Sequence, residues 1–245
     1  MLNLLITGRS GRMGLALLEA ANAEPQVTVA ATHDSGEDID AAMRAADCTI
    51  DFSHHSFTGE VVRTALAQGK PLVIGTTGHS PEELAQIHEA SRSVPLVHAS
   101  NFSVGVNTLF WLTKLAAGVL KADHFDIEVV EMHHRHKIDA PSGTALTLLS
   151  VLEKAVATCH EPQTVHGRSG NTGARRPGEI GMHSLRGGDV VGDHTVVFAA
   201  DGERVELTHK ASSRLTFAAG AVRAALWLKN QPPGLYDMRD VLGLA

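Results

Sequence analysis

The chain has little that would tie it to an oxidising or membrane setting. Among 245 residues only Cys48 and Cys159 are cysteines, so no disulfide framework is implied and a reducing compartment fits. No apolar run approaches membrane-spanning length. The opening Met1-Leu2-Asn3-Leu4-Leu5-Ile6 lacks a basic start and is too short for a secretory core segment. A cytoplasmic, soluble protein is the expectation. Excess positive charge is also missing: Lys and Arg total 21 against 27 Asp and Glu, which argues against a general nucleic-acid binder. No repeat or low-complexity segment breaks the chain. What is there, 43% hydrophobic and 20% charged residues, suits one large globular domain or two modest ones.

The first hundred residues alternate short apolar runs (2–7, 27–32, 49–52, 71–74, 95–98) with helical patterns (12–23, 38–46, 58–68, 81–92). Such alternation predicts a parallel sheet covered on both faces. The first strand runs into Gly8-Arg9-Ser10-Gly11-Arg12-Met13-Gly14, whose glycines permit a tight turn and close approach of backbone to a pyrophosphate at a helix start. The spacing is GxxGxxG, not GxGxxG, and a plain strand-to-helix turn is the alternative. Asp34 lies just beyond the second strand, where an acidic side chain can hold ribose hydroxyls; a helix-capping Asp is the other reading. Gly75-Thr76-Thr77-Gly78 and Ala99-Ser100-Asn101-Phe102 follow the fourth and fifth strands. Ligands of open α/β sheets bind outside these strand ends, so both loops are expected to border the nucleotide.

Beyond residue 103 the pattern changes. A helix (105–120) leads to an alternating strand that ends in His133-His134-Arg135-His136-Lys137, five nitrogen-bearing side chains in succession. Pro141-Ser142-Gly143-Thr144 then opens a second helix, with the proline read into its first turn, and a helix start is a ready anion site. Cations beside it would hold one carboxylate or two. A glycine-rich polar stretch with Arg168, Arg175 and Arg176 follows, read as functional or mobile. Runs at 179–186, 190–199 and 204–210 read as antiparallel strands with tight turns, and 215–229 as a helix. With 15 histidines in the chain, His54, His55, His79, His88 and His160 are expected to be surface or satisfied residues. Zinc at the cluster and a solvated charge run are the rival readings. His133 and His134 on a strand point to opposite faces and no familiar ligand spacing completes a site, so no metal is expected, and the run leads directly into a helix start, as an anion site would.

The string EMHHRHKIDAPSGTAL (131–146) closely resembles the signature of the 4-hydroxy-tetrahydrodipicolinate reductase (dihydrodipicolinate reductase) family of the diaminopimelate route to lysine. GRSGRMG (8–14), GTTG (75–78), NFSVGVN (101–107), PGEIG (177–181) and HKASSR (209–214) are similar to further family motifs, in family order. The resemblance implies an α/β protein. A Rossmann-like dinucleotide-binding lobe (1–103 and 213–245) would accompany an α+β lobe (104–212) with a mixed or antiparallel open sheet for substrate binding and tetramerisation. It implies His133 as general acid and Lys137 as a second proton donor, His134 as a substrate contact, and Ser142, Gly143 and Thr144 as the substrate-carboxylate site. It assigns cofactor contacts to Gly8, Arg9, Ser10, Gly11, Arg12, Met13, Asp34, Gly75, Thr76, Thr77, Ala99, Ser100, Asn101 and Phe102. The implied partners are NADH and/or NADPH and a cyclic dicarboxylate, in a homotetramer. Asp34 is followed by Ser35 and by no Lys or Arg before Arg44, so NADH is expected to serve at least as well as NADPH. Another imine-acid dehydrogenase and a silent nucleotide-binding regulator are the alternative function classes.

Overall fold

The computed structural model describes residues 1–244 and divides the chain into two compact units. One comprises Met1–Val104 with the segment from Arg214 onward; the other is Gly105–Ser213. In chain order the first unit contributes β1 (Leu2–Thr7), α1 (Arg12–Ala23), β2 (Val27–His33), α2 (Ile39–Arg44), β3 (Cys48–Asp51), α3 (His55–Gln68), β4 (Leu72–Ile74), α4 (Pro81–Ala90) and β5 (Pro95–His98). Next come α5 (Val104–Val119), β6 (Asp126–His133), α6 (Gly143–Val156), β7 (Gln163–His166), β8 (Glu179–Arg186), β9 (Gly192–Ala200) and β10 (Glu203–Ala211). The chain then returns to the first unit with α7 (Leu215–Leu228), β11 (Gly234–Tyr236) and α8 (Met238–Leu242). No helix among the described residues is long and apolar enough to cross a membrane.

The first sheet is parallel throughout, in the order β11-β5-β4-β3-β1-β2. Successive side chains of a strand face opposite sides, so β1 feeds two cores. Leu4 and Ile6 pack with Leu17 of α1 and Val222 of α7, whereas Leu5 packs with Ile39, Val61 and Ile87. Both faces are therefore buried, as the apolar runs required. Gly220 lets α7 press against the loop after β5: a Cβ there would lie 1.8 Å from the Phe102 carbonyl oxygen. The Phe102 side chain is buried and rests on Phe52, with ring centroids 5.5 Å apart.

The second sheet is mixed, in the order β10-β9-β6-β8-β7. β9 and β10 form the expected hairpin around Asp201-Gly202. β8 departs from expectation. It pairs in parallel with β6 and β7, so Gly187-Gly188-Asp189 carries the chain across β6 instead of closing a tight hairpin. Two crossovers set this: α6 carries the chain from β6 to β7 and the 167–178 segment from β7 to β8, and strands joined by long crossovers run parallel. One face of β6 packs Ile127 and Val129 against Ala145, Leu148 and Leu152 of α6. On the other face, Arg168 and Arg175 bind Glu128, and Arg175 also bonds the carbonyls of Ile127 and Glu179. The glycine-rich segment is thus tied to the sheet at both arginines.

Gly220→Ala tests the α7 contact. Alanine in a helix interior normally stabilises by roughly 1 kcal/mol. Here the clash with the Phe102 carbonyl is expected to reverse the sign, lowering unfolding free energy by about 2 kcal/mol in urea titrations.

Candidate functional site

In the first unit the glycine turn sits at the carboxyl ends of β1, β2 and β3. Gly8 has φ +71°, where a side chain would be strained, and its own Cβ would meet the Phe52 carbonyl at 2.7 Å. A Cβ on Gly14 would lie 2.1 Å from the Gly8 carbonyl, so the helix can start this close to the turn only with glycine there. A cleft of about 430 Å³ opens here, lined in part by Gly8, Ser10, Gly11 and Asp34. β1 lies between β2 and β3 in the sheet, and the crevice flanks this strand. A turn that only backbone can fill and an acidic strand end fit the pyrophosphate and ribose of a dinucleotide. Arg12 is exposed at the helix start, and Met13 packs against the core.

Asp51 fastens the neighbouring loops. Fully buried at the end of β3, it accepts hydrogen bonds from the hydroxyls of Thr7, Ser53, Thr58 and Thr76. The Thr76 hydroxyl is therefore engaged inside the fold. Gly75 packs so tightly on the Phe52 ring that a Cβ would come within 2.1 Å of it. Thr77 and Ser100 are exposed, Ala99 donates its N–H to Ile74, and the Asn101 side chain accepts from the N–H of Ser103. Phe102 offers the cleft side only its backbone, because its ring is core. Asp34 has neighbours the sequence did not suggest. Arg9 reaches across from the glycine turn to stand 3.5 Å from Asp34 Oδ2, and Glu37 binds Arg9 directly. A basic group does stand beside Asp34, then, supplied by the turn and not by the residues after the strand.

In the second unit the site grows out of the end of β6. Glu131 and His133 are two residues apart on a strand, so both face the core side. Glu131 has 0% exposure. Its carboxylate takes both terminal nitrogens of Arg186 at 2.9 Å, His133 Nδ1 at 2.5 Å and the Ser142 N–H at 3.3 Å. Burial alone would raise the Glu131 carboxyl's pKa, but the Arg186, Ser184 and His133 bonds outweigh it and hold the group below its usual range. An ionised Glu131 can only accept, so Nδ1 of His133 carries the proton and Nε2 is left without one. Gly192 leaves room there: a Cβ on it would lie 3.0 Å from Nε2. Burial, partly offset by Glu131 and reinforced by Lys137 and Arg186, holds the His133 imidazole below its ordinary pKa.

The chain turns after His133, with Lys137 donating its N–H to the His134 carbonyl, and this brings Lys137 back towards the strand end. The Lys137 ammonium is paired with the exposed carboxylate of Asp139 at 2.8 Å. His134 lies on the other side of the chain, its ring 6.3 Å from that of His136. Pro141 precedes the cap of α6 and does not stand in its first turn, correcting the sequence reading. Ser142 is the cap. Its buried hydroxyl accepts from the Ala145 N–H and meets His194 Nε2 at 3.1 Å, so its side chain is committed to the fold. Gly143 and Thr144 supply the first-turn N–H groups, the part of a helix start that receives anions. Burial pushes His194 down to about 4, so it is neutral at physiological pH.

Glu131, Arg186, Gly192, His194 and Glu37 were not among the residues expected. Only Glu131 had a usable signal, its two-residue spacing from His133. Of the remaining histidines, His55 pairs with Glu83, His79 with Thr58 and His160 with Asp123. His54 caps α3.

A parallel nucleotide-type sheet with a glycine turn, and a second unit carrying a buried histidine held by a carboxylate beside a helix start, define a pyridine-nucleotide oxidoreductase. Comparison with known proteins sharpens this. The family model described as dihydrodipicolinate reductase, N-terminus, matches residues 2–102, and that described as its C-terminus matches residues 105–242. A 4-hydroxy-tetrahydrodipicolinate reductase of Akkermansia muciniphila is 60% identical over 245 residues, covering 100% of this chain and 99% of that one. One from Magnetococcus marinus is 49% identical over 261 residues, covering 97% of each. The chain belongs to the dihydrodipicolinate reductase family. A dipicolinate-bound dihydrodipicolinate reductase from Paenisporosarcina shares the fold with a TM-score of 0.78 over 97% of each chain, at 23% identity.

Glu131→Ala is expected to cost about 3 kcal/mol of unfolding free energy, because it leaves the partly buried Arg186 guanidinium with only the Leu185 and Asp139 carbonyls and no counter-charge. Urea denaturation measures it, and a loss under 1 kcal/mol would show that Arg186 readily finds water or another acceptor.

Proposed function

We propose that His133 and Lys137 supply the proton in the reaction of this family, reduction of 4-hydroxy-tetrahydrodipicolinate, with loss of its hydroxyl as water, to tetrahydrodipicolinate with NADH or NADPH. The carrying observation is the His133–Glu131–Arg186 chain beside the α6 start. When bound, the nicotinamide supplies the hydride. Gly8, Arg9, Ser10, Gly11, Arg12 and Met13 cradle its pyrophosphate and Asp34 its ribose. Gly75, Thr76, Thr77, Ala99, Ser100, Asn101 and Phe102 border it farther along the sheet. In the second unit the N–H groups of Gly143 and Thr144 hold a substrate carboxylate, with Ser142 fixing the helix start through its cap and His134 as a further contact.

His133 is neutral in the free site. A dianionic substrate nearby raises its proton affinity, so Nε2 gains its proton with the substrate and releases it as negative charge develops on the reacting carbon skeleton. Glu131 stabilises the imidazolium through Nδ1. Lys137 is the second donor, available once its ammonium leaves Asp139. A homotetramer formed through the second unit belongs to the same proposal. Exposed Leu112, Leu115, Val119 and Leu185 support it, and a monomer in sedimentation equilibrium would refute it. A cytoplasmic setting is part of the proposal too, in keeping with a biosynthetic reaction fed by nicotinamide cofactor.

The test is loss of NADH or NADPH absorbance with the condensation product of pyruvate and aspartate semialdehyde. His133→Ala and Lys137→Ala are each expected to lower kcat by roughly 10²–10⁴. Full activity in either would remove that residue's role, and a folded wild type without turnover would point to another imine acid. The sign of the pH effect is fixed as well. Glu131 raises the His133 pKa, so Glu131→Gln should move the alkaline fall of kcat/KM to lower pH.

A further inference from the structure

Arg9 occupies the second position of the glycine turn, and its guanidinium lies across the end of β2. Both of its terminal nitrogens bind Glu37, at 2.6 Å each, and one stands 3.4 Å from the Thr32 hydroxyl. The contact with Asp34 is looser, 3.5 Å from Nε to Oδ2. Glu37 also accepts the Asp34 N–H at 2.9 Å, so a single carboxylate ties the arginine to the turn that presents Asp34. Hydrogen bonding to Arg9 holds the Glu37 carboxyl down to about 2, so the pair is charged at any physiological pH. Two carboxylates thus surround one guanidinium where a cofactor's adenosine ribose would lie, leaving negative charge in excess.

We propose that Glu37 is a specificity-determining residue: by holding Arg9 in an internal bidentate pair, it withholds that cation from a 2′-phosphate and favours the cofactor with a free 2′-hydroxyl. The proposal rests on the nicotinamide-cofactor reading. It differs from the effect of Asp34 alone. Without the Glu37 charge, the only ionic contact left to Arg9 would be its loose one with Asp34, beside the long bond to the Thr32 hydroxyl, and a phosphate dianion could displace both with a bidentate pair of its own. Selectivity would then come from an arginine that is present but occupied, and not from its absence.

Glu37→Gln tests this, because the amide oxygen can still accept the Asp34 N–H while the charge is gone. kcat/KM for NADPH and NADH would be measured in wild type, E37Q, R9A and the double variant. Titration calorimetry would compare adenosine 2′,5′-bisphosphate with adenosine 5′-monophosphate on the same four proteins. In E37Q the NADPH:NADH ratio and the relative affinity for the bisphosphate should both rise about tenfold, and the double variant should lose that gain. An unchanged ratio and affinity in E37Q would overturn the proposal. So would a tenfold loss of NADPH selectivity in R9A alone, which would mean that Arg9 already serves the phosphate. A folded wild type that binds neither nucleotide half and oxidises neither cofactor would instead remove the cofactor reading beneath it.

Discussion

A carboxylate with no solvent exposure must find its partners inside the fold, and Glu131 finds them on three elements. Arg186 comes from β8, the Ser142 N–H from the start of α6, and His133 from its own strand. Satisfying that one group fixes the distance between strand end and helix start, sets the tautomer of His133, and leaves Nε2 facing a gap kept open by Gly192. The arrangement around His133 therefore follows from an electrostatic requirement of the core. His194, opposite Glu131 on β9, closes the arrangement by bonding the Ser142 hydroxyl that caps α6.

The first unit uses the same device with neutral partners. Asp51 is as deeply buried as Glu131, and four hydroxyls from the ends of β1, β3 and β4 and the start of α3 satisfy it. The loops bordering the nucleotide cleft are thus fastened to each other before any cofactor arrives, a form of preorganisation that lowers the ordering cost of binding. At the cleft's outer edge the ion pairs of Arg9 are exposed. Exposed pairs contribute little to stability, so this cluster bears on ligand choice far more than on folding.

Most elements were legible because burial imposes a period. Apolar runs of four to six residues between helical patterns, as at Leu2–Thr7 and Pro95–His98, admit few other folds. The glycine turn and the His133–Lys137 run were legible because their chemistry is concentrated in consecutive residues. The Glu131–Arg186 and Ser142–His194 links were not. Arg186 lies 55 residues away in sequence and Ser142 and His194 are 52 apart, and only the pairing of β6 with β8 and β9 brings them together. That pairing was itself misread as a run of hairpins, because strand periodicity says nothing about which neighbour a strand chooses. β7 and β11 were missed for another reason: neither has a fully buried residue, so no apolar run marks them, and α8 is too short to establish a helical period. Glu37 escaped because its partner comes from the preceding strand–helix turn, and only the folded chain puts Arg9 beside it.

The most direct measurement is nitrogen-15 NMR of the histidine ring nitrogens near neutral pH, with His133 assigned by comparison with His133→Gln. The expected result is a proton on Nδ1 and a bare Nε2 in the free protein, with Nε2 becoming protonated when dipicolinate is added in the presence of cofactor. A free His133 protonated on Nε2, or a ring whose protonation ignores the bound dicarboxylate, would contradict the role assigned to Glu131.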